Sequence, residues 1–188
     1  MDHVLKCSYY NQGCHGGYSY LTGKFFKEFE IMTSDCFDSN TCSNKCKADK
    51  ENNKKGKLNI KAIDYYYVGD YYGYTNEDNI YADLRDNGPM VISLAPTYLF
   101  SAYKSGIFDV DSTTYRALNI KQPEWQKVDH SVVLVGYGVE DGKEYWMIQN
   151  SWGAHWGDNG YMKLRKGKNL INIESLAESV KITLTEDL

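Results

Sequence analysis

The run HSVVLVGYGVEDGKEYWMIQN begins with His130 and ends with Asn150, two side chains whose pairing has a definite chemical use. Two β-rich stretches flank Glu140, Asp141, Gly142 and Lys143, and Asp-Gly is a strong signal for a tight hairpin turn. The hairpin predicts that His130 lies opposite Asn150. An amide oxygen in that position accepts one ring N–H, fixes the imidazole tautomer and aims the other nitrogen at a nucleophile. A structural hydrogen bond would use the same two residues, so the neighbours decide between the readings. After Asn150 the sequence continues SWGAHWGDNGY, setting Trp152 and Trp156 among closely spaced glycines.

The nucleophile has to be sought among five cysteines, Cys7, Cys14, Cys36, Cys42 and Cys46, all in the first quarter of the 188 residues. Such clustering points to disulfides and an oxidising compartment, although MDHVLKC lacks the charged lead and apolar run of a secretory signal. An odd count leaves one thiol free or paired outside this chain. Zinc is the competing reading, because Cys42 and Cys46 in CSNKC, together with Cys14 and His15, offer thiolate and imidazole ligands; a structural zinc site, however, usually shows two regularly spaced ligand pairs.

Other segments supply the framework. Asn44 to Lys61 is hydrophilic and Lys-rich and reads as a surface loop. IDYYYVGDYYGYT is strand-favouring sequence broken by Gly69 and Gly73. In TNEDNIYADLRDNGP, Thr75 is the expected helix cap, with Asp78 completing a box-like pattern, Ile80 and Leu84 on one face, and Gly88-Pro89 as the stop. MVISLAP has strand length, and TYLFSAYKSGIF reads as a helical turn passing into an extended segment. A net charge of −4, from 21 basic and 25 acidic residues, provides no basic field for nucleic acid or anionic membranes. No window reaches the roughly 18 consecutive apolar residues of a membrane span.

Four segments together resemble the papain family of cysteine peptidases. VDHSVVLVGYG is similar to the surroundings of its catalytic histidine, and QNSWG to those of its catalytic asparagine. WGDNGYMKLRKG matches the stretch that follows, and CSYYNQGCHGGY the Gly-rich substrate-binding wall. The resemblance covers roughly residues 7 to 182. It implies an α+β, papain-like two-domain fold, with residues 1–69 a remnant of the left, helical domain and residues 70–188 a nearly complete right-hand, β-barrel-like domain. It further implies His130 as base and then acid, Asn150 as its orienter, Trp152 as a cover over their bond, and Trp156 as an aromatic beneath. Asp129 follows the family pattern beside the histidine.

The family's signature, C-G-[SA]-C-[WY], surrounds a thiolate activated by the imidazolium and lies well upstream of the histidine. None of the five cysteines stands in such a string. The expectation is a fragment without nucleophile or oxyanion hole, inactive alone, whose signal and catalytic segment lie upstream of Met1. The alternative is a pseudopeptidase retaining the cleft as a peptide-binding or regulatory module. The resemblance also implies that Cys14 would pair with the absent signature, leaving Cys7 with Cys42 and Cys36 with Cys46.

Within the family the likeness is to the cathepsin C, or dipeptidyl peptidase, branch, carried by CSYYNQGCHGGYSYL, YYYVGDYYGYTNE, NGPMVISL, YKSGIF and NIESLAESV. This implies that Gly16 and Gly17 present backbone groups to a peptide and that Tyr18, Ser19 and Tyr20 border a substrate pocket. It also implies a chloride ion near Tyr20 and Tyr67 as the only cofactor, peptide or protein substrates, an exclusion domain that this sequence does not contain, and a lysosomal, vacuolar or secreted location.

Overall fold

The computed structural model describes residues 2–29, 31–32, 37–38, 43–44, 58–110 and 128–186. The chain divides into two compact units, one formed by Met1–Tyr66 with Val180–Leu188 and the other by Tyr67–Ser179. Both combine helices and strands, giving the α+β class.

The first unit opens with helices α1 (Asp2–Cys7) and α2 (Ser19–Glu28), separated by a 3-10 turn at Gly13–His15. Short strands β1 (Ile31–Met32), β2 (Phe37–Asp38) and β3 (Ser43–Asn44) follow, then the long β4 (Leu58–Tyr67). The β1–β4 pairing sets Ile31 against Ile60 and Met32 against Asn59. The sheet in this unit runs β1-β4-β10, where β10 is Ala177–Glu186. Phe25 is buried, with its ring 5.0 Å from that of Phe29. Gly23 brings α2 close to the sheet, because a Cβ there would meet Tyr65 Cβ at 2.8 Å and Val180 Cγ2 at 3.0 Å. The loop expected to reach Lys61 stops earlier: Leu58 to Lys61 already belong to β4, whose partner strand β1 supplies the ladder bonds that sequence polarity did not announce.

The second unit contains helix α3 (Glu77–Asn87), strand β5 (Met90–Leu94), the single turn α4 (Tyr98–Ser101) and strand β6 (Ile107–Phe108). The hairpin β7 (His130–Glu140) and β8 (Lys143–Gln149) comes next, then β9 (Tyr161–Arg165). Strand order from the start of β10 is β10-β5-β7-β8-β9-β6, antiparallel except for β6 on β9. Ile92, Leu94, Leu134, Trp146, Ile148 and Leu164 are fully buried.

Helix α3 starts one residue later than expected. Asn76 is the cap, exchanging bonds with Asn79 in a capping box, while Ile80 and Leu84 are buried and Gly88 ends the helix at φ 89. Thr75 is drawn inward: its hydroxyl donates to Val68 O (2.8 Å) and accepts from Ala177 N–H (3.1 Å). With two buried backbone groups to satisfy, the hydroxyl has no lone pair oriented for a cap, and the next amide side chain takes that role.

Candidate active site

The geometry of His130 and Asn150 comes from the β7–β8 hairpin and one irregularity in it. Asp141 (φ 51) and Gly142 (φ 73) make the turn with both residues in the left-handed region, and Glu140 pairs with Lys143. This is the backbone requirement that Asp-Gly meets. Pairing continues to Gly136 opposite Met147, then shifts by one residue so that Leu134 faces Ile148 and Val133 faces Gln149. Continuing that register sets Asn150 across from Val132, two residues along the same strand face from His130. The offset is a diagonal that the two side chains span directly, rather than the exact opposition expected.

His130 Nε2 and Asn150 Oδ1 are 2.9 Å apart. The Ser151 N–H also donates to Asn150 Oδ1 at 2.8 Å. A backbone N–H demands an acceptor, so the amide oxygen faces both groups and His130 must donate from Nε2. In the neutral ring, Nδ1 then carries the lone pair and is the nitrogen free to take a proton. Asn150 is buried and its backbone N–H bonds Gly160 O at 2.9 Å. His130 is half-buried at the start of β7, opposite Leu94, and the preceding Asp129 is exposed with its N–H on Leu94 O.

An aromatic stack supports the pair. The Trp152 ring lies 5.1 Å from the imidazole at 34°, and it meets Phe100 at 5.4 Å and Trp156 at 5.6 Å, both edge-on. Trp156 is buried against Phe100 at 5.0 Å and donates its indole N–H to Phe100 O. The loop that delivers both tryptophans turns at Gly157, where φ is +60 and a Cβ would stand 2.5 Å from Tyr161 O. Sequence reading assigned no part to Phe100, which is fully buried and touches His130, Trp152 and Trp156.

Beside Asn150 lies a cavity of about 370 Å³, lined by Val91, Ser131, Val132, Val133, Gln149, Asn150 and Ser151. Its walls are chiefly apolar, and Val133 is 38% exposed.

The Gly-rich wall belongs to the first unit. Gly16 (φ 106) follows the 3-10 turn, and Gly17 packs so tightly on Asn11 that a Cβ would lie 2.4 Å from Asn11 Oδ1. The same oxygen accepts the Tyr18 N–H at 2.9 Å, and Asn11 Nδ2 donates to Thr22 Oγ1 at 3.0 Å. Asn11, which sequence reading passed over, therefore holds this segment in its exposed conformation. Gly16, Gly17 and Tyr18 are exposed, while Ser19 and Tyr20 are half-buried at the start of α2. The Tyr20 ring packs on Tyr65 at 4.8 Å, and in the second unit the Tyr67 ring packs on Tyr72 at 5.3 Å. Cys7 is disulfide-bonded and Cys14 carries an exposed free thiol. Cys36, Cys42 and Cys46 lie outside the described residues. Among the described residues no group of three His, Cys, Asp or Glu is placed to hold a metal, and no helix is long and apolar enough to cross a membrane.

Comparison with solved structures places this fold beside papain-like peptidases: digestive procathepsin L 3 from the larval midgut of Tenebrio molitor superposes with a TM-score of 0.70 at 24% identity, over 96% of this chain and 54% of that one. Residues 1–181 match the papain family cysteine protease profile, and the chain belongs to that family. Among curated relatives, cathepsin C of Schistosoma mansoni is 33% identical across 92% of this chain and 37% of its own length. Dipeptidyl aminopeptidase 1 of Plasmodium falciparum (isolate 3D7) is 28% identical across 92% of this chain and 34% of its own. The chain thus spans about a third of the length of these two relatives.

Proposed function

We propose that the site performs the peptide-bond chemistry of a dipeptidyl aminopeptidase-like cysteine peptidase, and that the 188-residue chain alone does not turn over. The observation carrying this reading is the 2.9 Å bond from His130 Nε2 to an Asn150 oxygen whose orientation the Ser151 N–H fixes. It leaves Nδ1 to draw a proton from a thiol and return it to the leaving amine as the thiolate forms an acyl thioester, and then to take a proton from the water that hydrolyses that thioester. Trp152 shields the orienting bond from water, which strengthens it. Gly16 and Gly17 offer backbone groups to the peptide, and Tyr18, Ser19 and Tyr20 border its pocket.

The thiolate and the oxyanion donors come from a segment carrying the family signature, and an exclusion domain restricts cleavage to dipeptides. Chloride is the one bound ion of this reading, and a phenol hydroxyl, such as that of Tyr20 or that of Tyr67, suits an anion because it donates without adding charge. The disulfide pattern pairs Cys7 with Cys42 and Cys36 with Cys46, and the compartment is lysosomal, vacuolar or secreted. A non-catalytic peptide-binding module is the second reading, favoured by the lack of the signature around all five cysteines.

The test compares the 188-residue chain with a form extended by the sequence of its own locus, using a fluorogenic dipeptide amide. The short chain is expected to release nothing. The extended form is expected to release dipeptides and to stop on His130→Ala. Release by the short chain, abolished by His130→Ala, overturns the predicted inactivity; a locus that encodes no signature cysteine overturns the peptidase reading in favour of the binding module.

A further inference from the structure

Asn11 lies between helices α1 and α2 of the first unit, and both ends of its side-chain amide are bound. Oδ1 accepts the Tyr18 N–H at 2.9 Å, while Nδ2 donates to Thr22 Oγ1 at 3.0 Å and to Ser8 Oγ at 3.5 Å. Thr22 is held in turn on Tyr18 O, through its N–H at 3.0 Å and its hydroxyl at 3.3 Å. One half-buried side chain therefore ties the glycine segment to the first turn of α2.

This clamp controls the direction of the peptide groups of Gly17. The Gly16 N–H is bonded to Gly13 O at 3.3 Å and the Gly16 carbonyl to the Gln12 N–H at 3.0 Å, whereas neither the N–H nor the carbonyl of Gly17 has a partner among the described residues. The open backbone groups of this wall are thus those of Gly17. No peptide bond among the described residues is cis, and in a planar trans peptide the carbonyl and the N–H that follows it point in opposite directions. The Tyr18 N–H points inward at Asn11, so the Gly17 carbonyl points away from it. The Gly16 carbonyl points at Gln12, so the Gly17 N–H points away from the turn. Asn11 and the Gln12 N–H together leave both groups of one exposed residue open, as an extended peptide requires of a backbone it pairs with. The same packing explains why the residue is glycine: a Cβ on Gly17 would lie 2.4 Å from Asn11 Oδ1 and 2.6 Å from its Cγ.

We propose that Asn11 is a positioning residue for peptide binding, its carboxamide aiming the Gly17 carbonyl at a backbone N–H of an extended peptide. The proposal rests on the reading of the glycine segment as the wall of a peptide site. Its test uses the form extended by the sequence of the chain's own locus, with the fluorogenic dipeptide amide. Asn11→Leu keeps the volume and removes the hydrogen bonds; KM is expected to rise about tenfold with kcat unchanged, because the lost contact serves ground state and transition state alike. Asn11→Asp keeps an oxygen to accept the Tyr18 N–H and is expected to recover most of that loss. A side chain that served only the fold would lower kcat through the folded fraction and leave KM alone. An unchanged KM in Asn11→Leu overturns the proposal, as does an Asp variant no better than the Leu one. An unmodified extended form that releases no dipeptide overturns the peptidase reading instead, and hydrogen exchange on the 188-residue chain then decides for Asn11. The Tyr18 amide is expected to exchange at least about tenfold more slowly than the Gly17 amide. Equal exchange at the two amides overturns the proposal whether or not any variant folds.

Discussion

Raising the pH is expected to destabilise the second unit through Glu178, and the size of the effect follows from its burial. Burial pushes this carboxyl from an ordinary 4.5 up to about 7. The folded state therefore holds a proton that the unfolded chain releases, and the associated stability is fully present below pH 4.5. It is lost progressively as the pH rises towards 7 and is gone above it. A shift of about two and a half pKa units corresponds to about 3 kcal/mol. With 4% of the residue exposed, solvent screening takes little from that figure. For a chain of this size it amounts to a fall of about 6–12 °C in Tm. The assay is urea denaturation followed by tryptophan fluorescence, which reports this unit because Trp146, Trp152 and Trp156 all lie in it. Unmodified protein and Glu178→Gln are compared from pH 4.5 to 8.5. Glutamine cannot ionise, so the gap between the curves isolates one group from every other carboxylate. The variant is expected to gain about 3 kcal/mol relative to the unmodified protein between the two ends of that range. Parallel curves, or a gap that opens in the opposite sense, would refute the reasoning.

Two further substitutions probe the framework. Phe100→Ala removes a fully buried ring on which the Trp152–Trp156 stack rests and is expected to destabilise by about 3–5 kcal/mol in denaturant titration; a loss under about 1 kcal/mol contradicts the packing described. Thr75→Val keeps the shape but leaves Val68 O and Ala177 N–H without their hydroxyl partner, at a cost of about 1–3 kcal/mol, and Thr75→Ser is expected to recover most of it when the two are melted side by side.

The site was more legible in the sequence than the fold around it. His130 and Asn150 could be brought together because Asp-Gly specifies a hairpin through backbone sterics alone, with no reference to the rest of the protein, whereas the place of Trp152 came only from the family resemblance. What the sequence concealed depends on tertiary neighbours. Nothing in Leu134, Val135 or Gly136 announces the one-residue shift between them, so exact opposition was expected where a diagonal is found. Thr75 has every local property of a cap, and a partner 102 residues away outweighs them. Leu58 and Ile60 looked like the tail of a polar loop because their strand depends on neighbours distant in sequence, β1 and β10. Phe100 sits on a four-residue helix too short to show a periodic face.

The bulge beside Leu134 divides the hairpin into two stretches with different freedom to change length during evolution. Around the Asp141–Gly142 turn, where Val139 is exposed, residues can be gained or lost in matched pairs, and the tip merely projects further or less far into solvent; nearer the bulge, the buried Trp146 opposite Tyr137 already ties the arm to its neighbours. Between the bulge and His130 no such freedom exists: inserting or deleting a single residue there moves the imidazole to the opposite sheet face, away from Asn150. A compensating change on β8 would have to arrive at the same moment, because every intermediate lacks the His130–Asn150 bond. Variation in the length of this hairpin should therefore be confined to its tip, and the four residues from His130 to Val133 form a segment of fixed count even where their identities are free to drift.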